Sequence, residues 1–257
     1  TGPYKNRAGH DINYLALAGV SSYSGRKEQG PPPLGIQVAD IAGGSHHAVM
    51  GILAAVIHRQ QTGEGQFVDV SMTDSAFAMN GMAGAGYLAA GVEPTAEQGV
   101  LNGGGFYDYY ETADSRYLAV GGLEPPFMKV LCETLERPDL MSFGLSQNKE
   151  HQAEFKAFLT TCFKQKNYSE WLQIFDQVDA CVEPVLTFSE STNHPQIKAR
   201  NMVVDVKRSD GSVQQQIGHP IKFSATACHS AHTGGALGQH TDEILKAQGV
   251  SEEQIKQ

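Results

Sequence analysis

Asp40-Ile41-Ala42-Gly43-Gly44-Ser45 opens an apolar run that extends from His46 to Gln61, and Gln66-Phe67-Val68-Asp69-Val70-Ser71-Met72 follows just beyond Gly63. Val49, Ile52, Leu53, Val56 and Ile57 spread over a broad apolar surface, so the spacing predicts a largely buried helix. His58 and Arg59 suit its C-terminal end, where cations meet the helix dipole, and Gly63 supplies the stop. Val68, Val70 and Met72 alternate with Asp69 and Ser71, which is the period of a strand. A helix that runs directly into a strand belongs to an α/β layer, and α/β is the expected fold class.

Upstream, Gly9-His10-Asp11-Ile12-Asn13-Tyr14-Leu15-Ala16-Leu17-Ala18-Gly19 repeats Ile12, Leu15 and Ala16 at helical spacing and stops at Gly19. Gly30-Pro31-Pro32-Pro33-Leu34-Gly35 reads as a stiff loop. Downstream, residues 73–105 are rich in Ala, Gly and Met. They read as a helix and a flexible connector that ends at Gly103-Gly104-Gly105, where a boundary between lobes falls.

From there the texture changes. Residues 106–111 and 117–120 read as two strands around a turn at Ala113-Asp114-Ser115-Arg116. Pro125-Pro126 opens a helix carrying Phe127, Val130, Leu131 and Leu135. Two amphipathic helices follow, one with Phe155, Phe158, Leu159, Cys162 and Phe163, the other with Trp171, Ile174, Phe175 and Val178. Residues 203–206 and 213–217 flank Ser209-Asp210-Gly211 as a hairpin. Residues 225–240 are loop, and 241–257 form a terminal helix broken at Gly249 and restarted by a capping box at Ser251 and Gln254.

The 257 residues suffice for one large domain or two small ones, and 40% hydrophobic content supports a real core. The net charge of -9 argues against nucleic acid and anionic membrane as partners, because both attract a basic face. No run of 18 or more apolar residues is present, so no membrane span is expected. Cys132, Cys162, Cys181 and Cys228 are widely spaced and include no C-x-x-C pair, which favours a reducing, cytoplasmic setting over a disulfide framework. His46 and His47 are sequence neighbours and point to different sides of a helix, so no metal is expected. The chain opens Thr1-Gly2-Pro3-Tyr4 without Met, which leaves room for an upstream portion.

Three ionisable groups sit near helix starts: the imidazole and carboxylate of His10-Asp11, Asp40 before Gly43-Gly44-Ser45, and Glu124 between Gly121-Gly122 and Pro125-Pro126. Unpaired N–H groups and the dipole favour anions there, such as carboxylates, phosphates or a thioester enolate. Each group also reads as an ordinary helix cap. Met72, Met79 and Met82 read as a packed helix or as a pliable acyl surface.

Taken together, Ala8 through Leu15, Ala39 through Ser45, Gly51-Ile52-Leu53-Ala54-Ala55 and Thr62 through Val70 resemble the family III CoA-transferases of the CaiB/BaiF superfamily. Gly121 through Phe127, Asp179 through Val185 and Gly238 through Leu245 are similar to later family segments, and the glutamate loop at Glu124 resembles the α-methylacyl-CoA racemase branch. The resemblance runs almost end to end. It implies a two-lobed fold: a Rossmann-like, CoA-binding large domain (residues 1–70 and 200–257) and a small α+β domain (105–195), joined by 71–104. The family carries a further N-terminal stretch holding much of the Rossmann-like half, so the large domain is expected to be incomplete. Either the chain is a fragment, or it does not bind CoA in the usual way.

The resemblance also implies a mechanism. In transferases the aspartate matching Asp40 is the nucleophile and carries the acyl group as a mixed anhydride. Racemases add the residues matching His10 and Glu124, and this chain has all three. His10 and Asp40 would then exchange the α-proton of a 2-methylacyl-CoA thioester through an enolate, with Glu124 orienting His10. Gly9, Asp11, Asn13, Tyr14, Gly43 and Gly44 are the implied substrate- and CoA-binding positions, and the N–H groups that start the Gly43-Gly44 helix would hold the enolate oxygen. No cofactor is implied, since CoA is part of the substrate. The implied assembly is an interlocked homodimer sharing catalytic groups between lobes, and the alternatives are an acyl-CoA:carboxylate CoA-transferase and a non-catalytic CoA-binding remnant.

Overall fold

The computed structural model describes residues 1–256; Gln257, the last residue of the expected terminal helix, lies outside the described residues. The chain divides into two units, Thr1–Val185 and Leu186–Gln257.

The first unit begins with α1 (Asp11–Leu17), a 3-10 turn (Val20–Tyr23) and a π-helix (Ala39–His46) that continues without a break into α2 (His47–Thr62). Next come α3 (Met72–Ala78) and α4 (Gly81–Ala90), then β1 (Asp108–Glu111), β2 (Tyr117–Val120), α5 (Pro125–Thr134), the short α6 (Met141–Gly144), α7 (Lys149–Phe163), α8 (Tyr168–Phe175) and β3 (Val182–Pro184). The strands form one antiparallel sheet in the order β1-β2-β3, with Asp108 opposite Val120 and Val120 opposite Val182.

The amphipathic periodicities at 125–175 mature into the main core. Phe155, Leu159 and Phe163 of α7, Met128 and Leu131 of α5 and Leu118 of β2 are all fully buried. Each contributes about 1.5–3 kcal/mol relative to exposure. Phe163 meets Trp171 edge to face at 5.1 Å, and the Trp171 indole N–H donates to the Phe163 carbonyl at 2.8 Å. The indole's polar group is thus satisfied inside the cluster. A second, smaller cluster is built of Leu15, Ala18, Ala39 and Ala76, where α1, α3 and the π-helix meet.

Five expectations are corrected. Residues 66–71 are extended but belong to no strand, since no partner strand lies beside them among the described residues. A strand is defined by its ladder, and alternation alone does not supply one. For the same reason no parallel, Rossmann-like sheet is present among the described residues. The helix expected to be buried is bare: Val49, Ile52, Leu53 and Ile57 are each more than half exposed. Its continuous form, Ala39–Thr62, is long and apolar enough to cross a membrane by length and composition alone, its most apolar 18 residues having a mean hydropathy of 1.3. A criterion of 18 consecutive apolar residues passes over it, because His46, His47 and His58 interrupt the run while a window average tolerates them. One such helix is weak evidence for a span.

Gly103-Gly104-Gly105 is pinned and not a flexible connector. A Cβ on Gly104 would sit 2.6 Å from the backbone of Gln98, and one on Gly105 would sit 2.5 Å from Gln152 Oε1. Lys156 Nζ donates to the Gly103 carbonyl at 2.6 Å, and Gln152 Oε1 accepts from the Phe106 N–H at 3.2 Å. The glycines permit close approach.

The second unit holds α9 (Phe188–Asn193), α10 (Pro195–Ala199), the hairpin β4 (Val203–Lys207) and β5 (Val213–Ile217), α11 (Thr241–Ala247) and α12 (Glu252–Ile255). Val203 pairs with Ile217 and Lys207 with Val213, as the turn at Ser209-Asp210-Gly211 requires. The helix restart is also as expected, with Ser251 Oγ accepting from the Gln254 N–H and Gln254 Oε1 accepting from the Ser251 N–H.

Candidate functional site

His10 is the N-cap of α1 with extended backbone, and its side chain is exposed. Its own N–H donates to Asn13 Oδ1 at 3.1 Å, and the Tyr14 hydroxyl donates to the Gly9 carbonyl at 2.8 Å. The backbone on both sides of the imidazole is therefore held by α1's first turns. Asp11 reaches across to the π-helix. Its Oδ1 accepts from the N–H of Ala39 at 2.5 Å and from that of Asp40 at 3.2 Å.

Asp40 thus emerges in the first turn of the π-helix. Such wide helices leave carbonyls to be satisfied locally and recur at functional sites. Here Ser45 Oγ donates to the Asp40 carbonyl at 3.2 Å, and His47 Nδ1 lies 2.7 Å from the Ala42 carbonyl, which assigns the ring hydrogen to that nitrogen. Gly43 is buried against α3, with the Met72 carbonyl 3.5 Å from where a Cβ would be, and Gly44 abuts the Met72 side chain at 3.1 Å. Met72 is thus packing, whereas Met79 and Met82 remain exposed.

His10, Asp11 and Asp40 line one cleft of about 380 Å³, walled by Ile12, Leu15, Val20 and the Pro32-Pro33-Leu34 strap. An imidazole and a carboxylate share this hollow, whose wall is part apolar and part polar with Ser21, Ser24 and Gln37, a pairing suited to moving a proton on a partly apolar ligand. Gly9, Asn13 and Tyr14 line a different hollow of about 770 Å³, together with Arg7 and Asp74. Gly43 and Gly44 line neither and face α3. Glu124 is the N-cap of α5, with an exposed side chain outside the His10–Asp40 cleft.

The expected enolate donors need correction. The N–H groups of Ala39 and Asp40 are occupied by Asp11, and that of Ile41 donates to the Gln37 carbonyl at 2.9 Å. The start of this helix therefore has no spare donor at these three positions.

Sequence reasoning also missed a polar cluster beside the connector. Arg26 donates to both carboxylate oxygens of Asp108, at 2.7 and 2.5 Å, and to Glu97 at 3.1 Å, while Lys156 meets Asp108 at 2.7 Å. Burial opposes ionisation of Asp108, but the bonds from Arg26 and Lys156 outweigh it and hold the carboxyl below its usual range. Glu97 is held low by the Lys27 N–H and by Arg26. Arg26 and Asp108 lie 82 residues apart, and no local pattern announces such a pair. Burial pushes the Cys132 thiol up to about 11 and raises those of Cys162 and Cys181, so none of these three is a ready nucleophile. Among the described residues no group of three or more His, Cys, Asp or Glu side chains is arranged to hold a metal ion.

The family model described as CoA-transferase family III matches residues 1–241. The α-methylacyl-CoA racemase of Homo sapiens is 36% identical over 264 residues, which cover 100% of this chain and 66% of that protein. An acyl-CoA transferase of Fusarium pseudograminearum is 32% identical, covering 99% of this chain and 57% of its own length. The crystal structure of a CAIB/BAIF family protein from Brucella suis superposes with a TM-score of 0.76 at 24% identity, covering 96% of this chain and 65% of that one. The chain thus spans two thirds or less of the length of these relatives.

Proposed function

The chain belongs to CoA-transferase family III, and from that premise we propose that it acts as an α-methylacyl-CoA racemase, epimerising 2-methylacyl-CoA thioesters by two-base proton transfer. The observation that carries this reading is the shared cleft of His10 and Asp40. A transferase needs the carboxylate alone, whereas epimerisation needs a second group to exchange the proton. One base takes the hydrogen from the α-carbon, and the C–H electron pair moves into the thioester as an enolate. The other group returns a proton to the opposite face, and the roles reverse for the other epimer. The similarity to the human racemase supports the same reading.

Glu124 lies outside the cleft and is exposed at a helix start. We therefore read it as orienting His10 from a second copy, in an interlocked homodimer. The setting proposed is cytoplasmic acyl-CoA and fatty acid metabolism, with no cofactor beyond the CoA of the substrate.

The second reading, an acyl-CoA:carboxylate CoA-transferase, is favoured by the similarity to the Fusarium transferase. In it Asp40 attacks the thioester carbonyl, expels the CoA thiolate and holds the acyl group as an anhydride. The third reading is a non-catalytic CoA-binding remnant. One assay separates all three: a single-epimer 2-methylacyl-CoA is incubated with the protein in deuterated water. The racemase places deuterium at the α-carbon while both epimers accumulate, without any acceptor acid. Acyl exchange that depends on an added carboxylate and leaves the α-hydrogen in place would overturn it for the transferase, and neither reaction would leave the remnant.

A further inference from the structure

Asp11 lines the cleft beside His10, a place that suits contact with a ligand, yet its bonds lead elsewhere. Its Oδ1 accepts two backbone N–H groups, at 2.5 Å from Ala39 and 3.2 Å from Asp40, 28 and 29 residues further along the chain. The first N–H groups of any helix lack partners within it. The π-helix carries Val38 at its N-cap, a side chain with no acceptor, and no side-chain cap of its own. The missing acceptor is supplied from α1. Ala39, at the receiving end, is fully buried in the small cluster where α1, α3 and the π-helix meet, so its N–H is shielded from solvent and needs this acceptor.

The same residue is the first of α1, directly after His10, whose own N–H is tied to Asn13. A single carboxylate therefore joins the backbone that carries His10 to the backbone that carries Asp40. We infer that Asp11 is a positioning residue that sets the separation of His10 and Asp40, and that its side chain is not a ligand contact. This inference rests on the reading of those two residues as the proton-transferring pair. In two-base transfer both groups must reach one carbon from opposite faces, and a displacement of about 1 Å is enough to lower turnover by about 100-fold.

Asparagine keeps an oxygen where Asp11 Oδ1 stands, and alanine does not, so the test compares Asp11→Asn with Asp11→Ala. Turnover and KM are measured for both epimers of a 2-methylacyl-CoA, and amide hydrogen exchange is followed at Ala39 and Asp40. The alanine variant is expected to lose about 100-fold in kcat with KM held within about twofold. Its Ala39 and Asp40 amides are expected to exchange at least about tenfold faster. The asparagine variant is expected to recover most of both. A raised KM with unchanged kcat and unchanged amide protection would make Asp11 a ligand contact and overturn the inference, as would an alanine variant indistinguishable from the parent. If the alanine variant does not fold, the asparagine variant decides: it must retain amide protection and most of kcat. If the parent protein turns over no acyl-CoA at all, the proposed function fails by itself. Protection at Ala39 and Asp40 still reports whether Asp11 holds the π-helix.

Discussion

Replacing Asp108 by alanine removes the acceptor on which Arg26 and Lys156 converge. The Asp108 side chain is 6% exposed and accepts four bonds of 2.5–2.8 Å, two from Arg26, one from Lys156 and one from the Tyr109 N–H. Removing one partner of a buried ion pair costs about 3–5 kcal/mol, because the remaining charge stays desolvated. That figure is an upper bound here. Arg26 and Lys156 keep 37% and 27% exposure, and Arg26 retains Glu97 at 3.1 Å. Screening by solvent reduces the loss to about 2–3 kcal/mol. At this chain length that is a fall in melting temperature of about 4–12 °C. Urea unfolding read by the single tryptophan, Trp171, measures the loss of free energy, since that residue sits in the main core. The pH dependence has a definite sign. The folded Asp108 carboxyl titrates below its unfolded value of about 3.9, so the stabilisation is complete above that pH and is lost as pH falls through the lowered folded value. The gap between parent and variant is therefore constant from neutral pH down to about 5 and closes in stronger acid. The exposed pair Arg137–Asp139 serves as the control, where solvent screening leaves a much smaller expected effect. A loss for Asp108→Ala no greater than that of the control, or one that persists unchanged below pH 3, would refute the reasoning.

His10→Ala is expected to cut epimerisation in both directions by orders of magnitude while leaving the unfolding transition in place, because the side chain is exposed; retained racemase activity would remove it from the mechanism. Phe163→Ala takes out a fully buried ring packed on Trp171, Tyr110 and Phe175, and should cost about 3–5 kcal/mol in urea unfolding. Gly104→Ala should destabilise through a clash with the Gln98 backbone, whereas Gly86→Ala, with open space around it, should not; equal effects would return the triple glycine to a flexible link. A thiol reagent at pH 8 should label the exposed Cys228 quickly and the buried Cys132 and Cys162 only after denaturation.

The elements legible in the sequence share a feature: their cause lies within a few residues. The helix of Phe155, Leu159 and Phe163, the hairpin around Ser209-Asp210-Gly211 and the restart at Ser251 each follow from periodicity or a local cap. The run Gln66 to Met72 has the right alternation and still forms no strand among the described residues, because a strand is made by its neighbour. The helix at His47–Thr62 is equally well predicted in existence and wrongly predicted in burial, for the same reason: its apolar face needs something to lie against.

What the sequence by itself determined was the first two strands of the sheet, the helices opened at Pro125 and carrying Phe155 and Trp171, the hairpin at 203–217, the helix starts at His10 and Glu124, and the residue set His10, Asp40 and Glu124 that the family resemblance singled out; β3, α6, α9 and α10 were not read in it. Only the tertiary structure decided which of these meet. It brought His10 and Asp40 to one cleft, left Glu124 outside it, turned Gly43 and Gly44 toward α3, and gave the first N–H groups of the π-helix to Asp11. It also joined Arg26 to Asp108 across 82 positions. Local propensity acts over a turn or two of chain, while these contacts are selected by how the helices pack, and packing joins residues without regard to their spacing along the sequence.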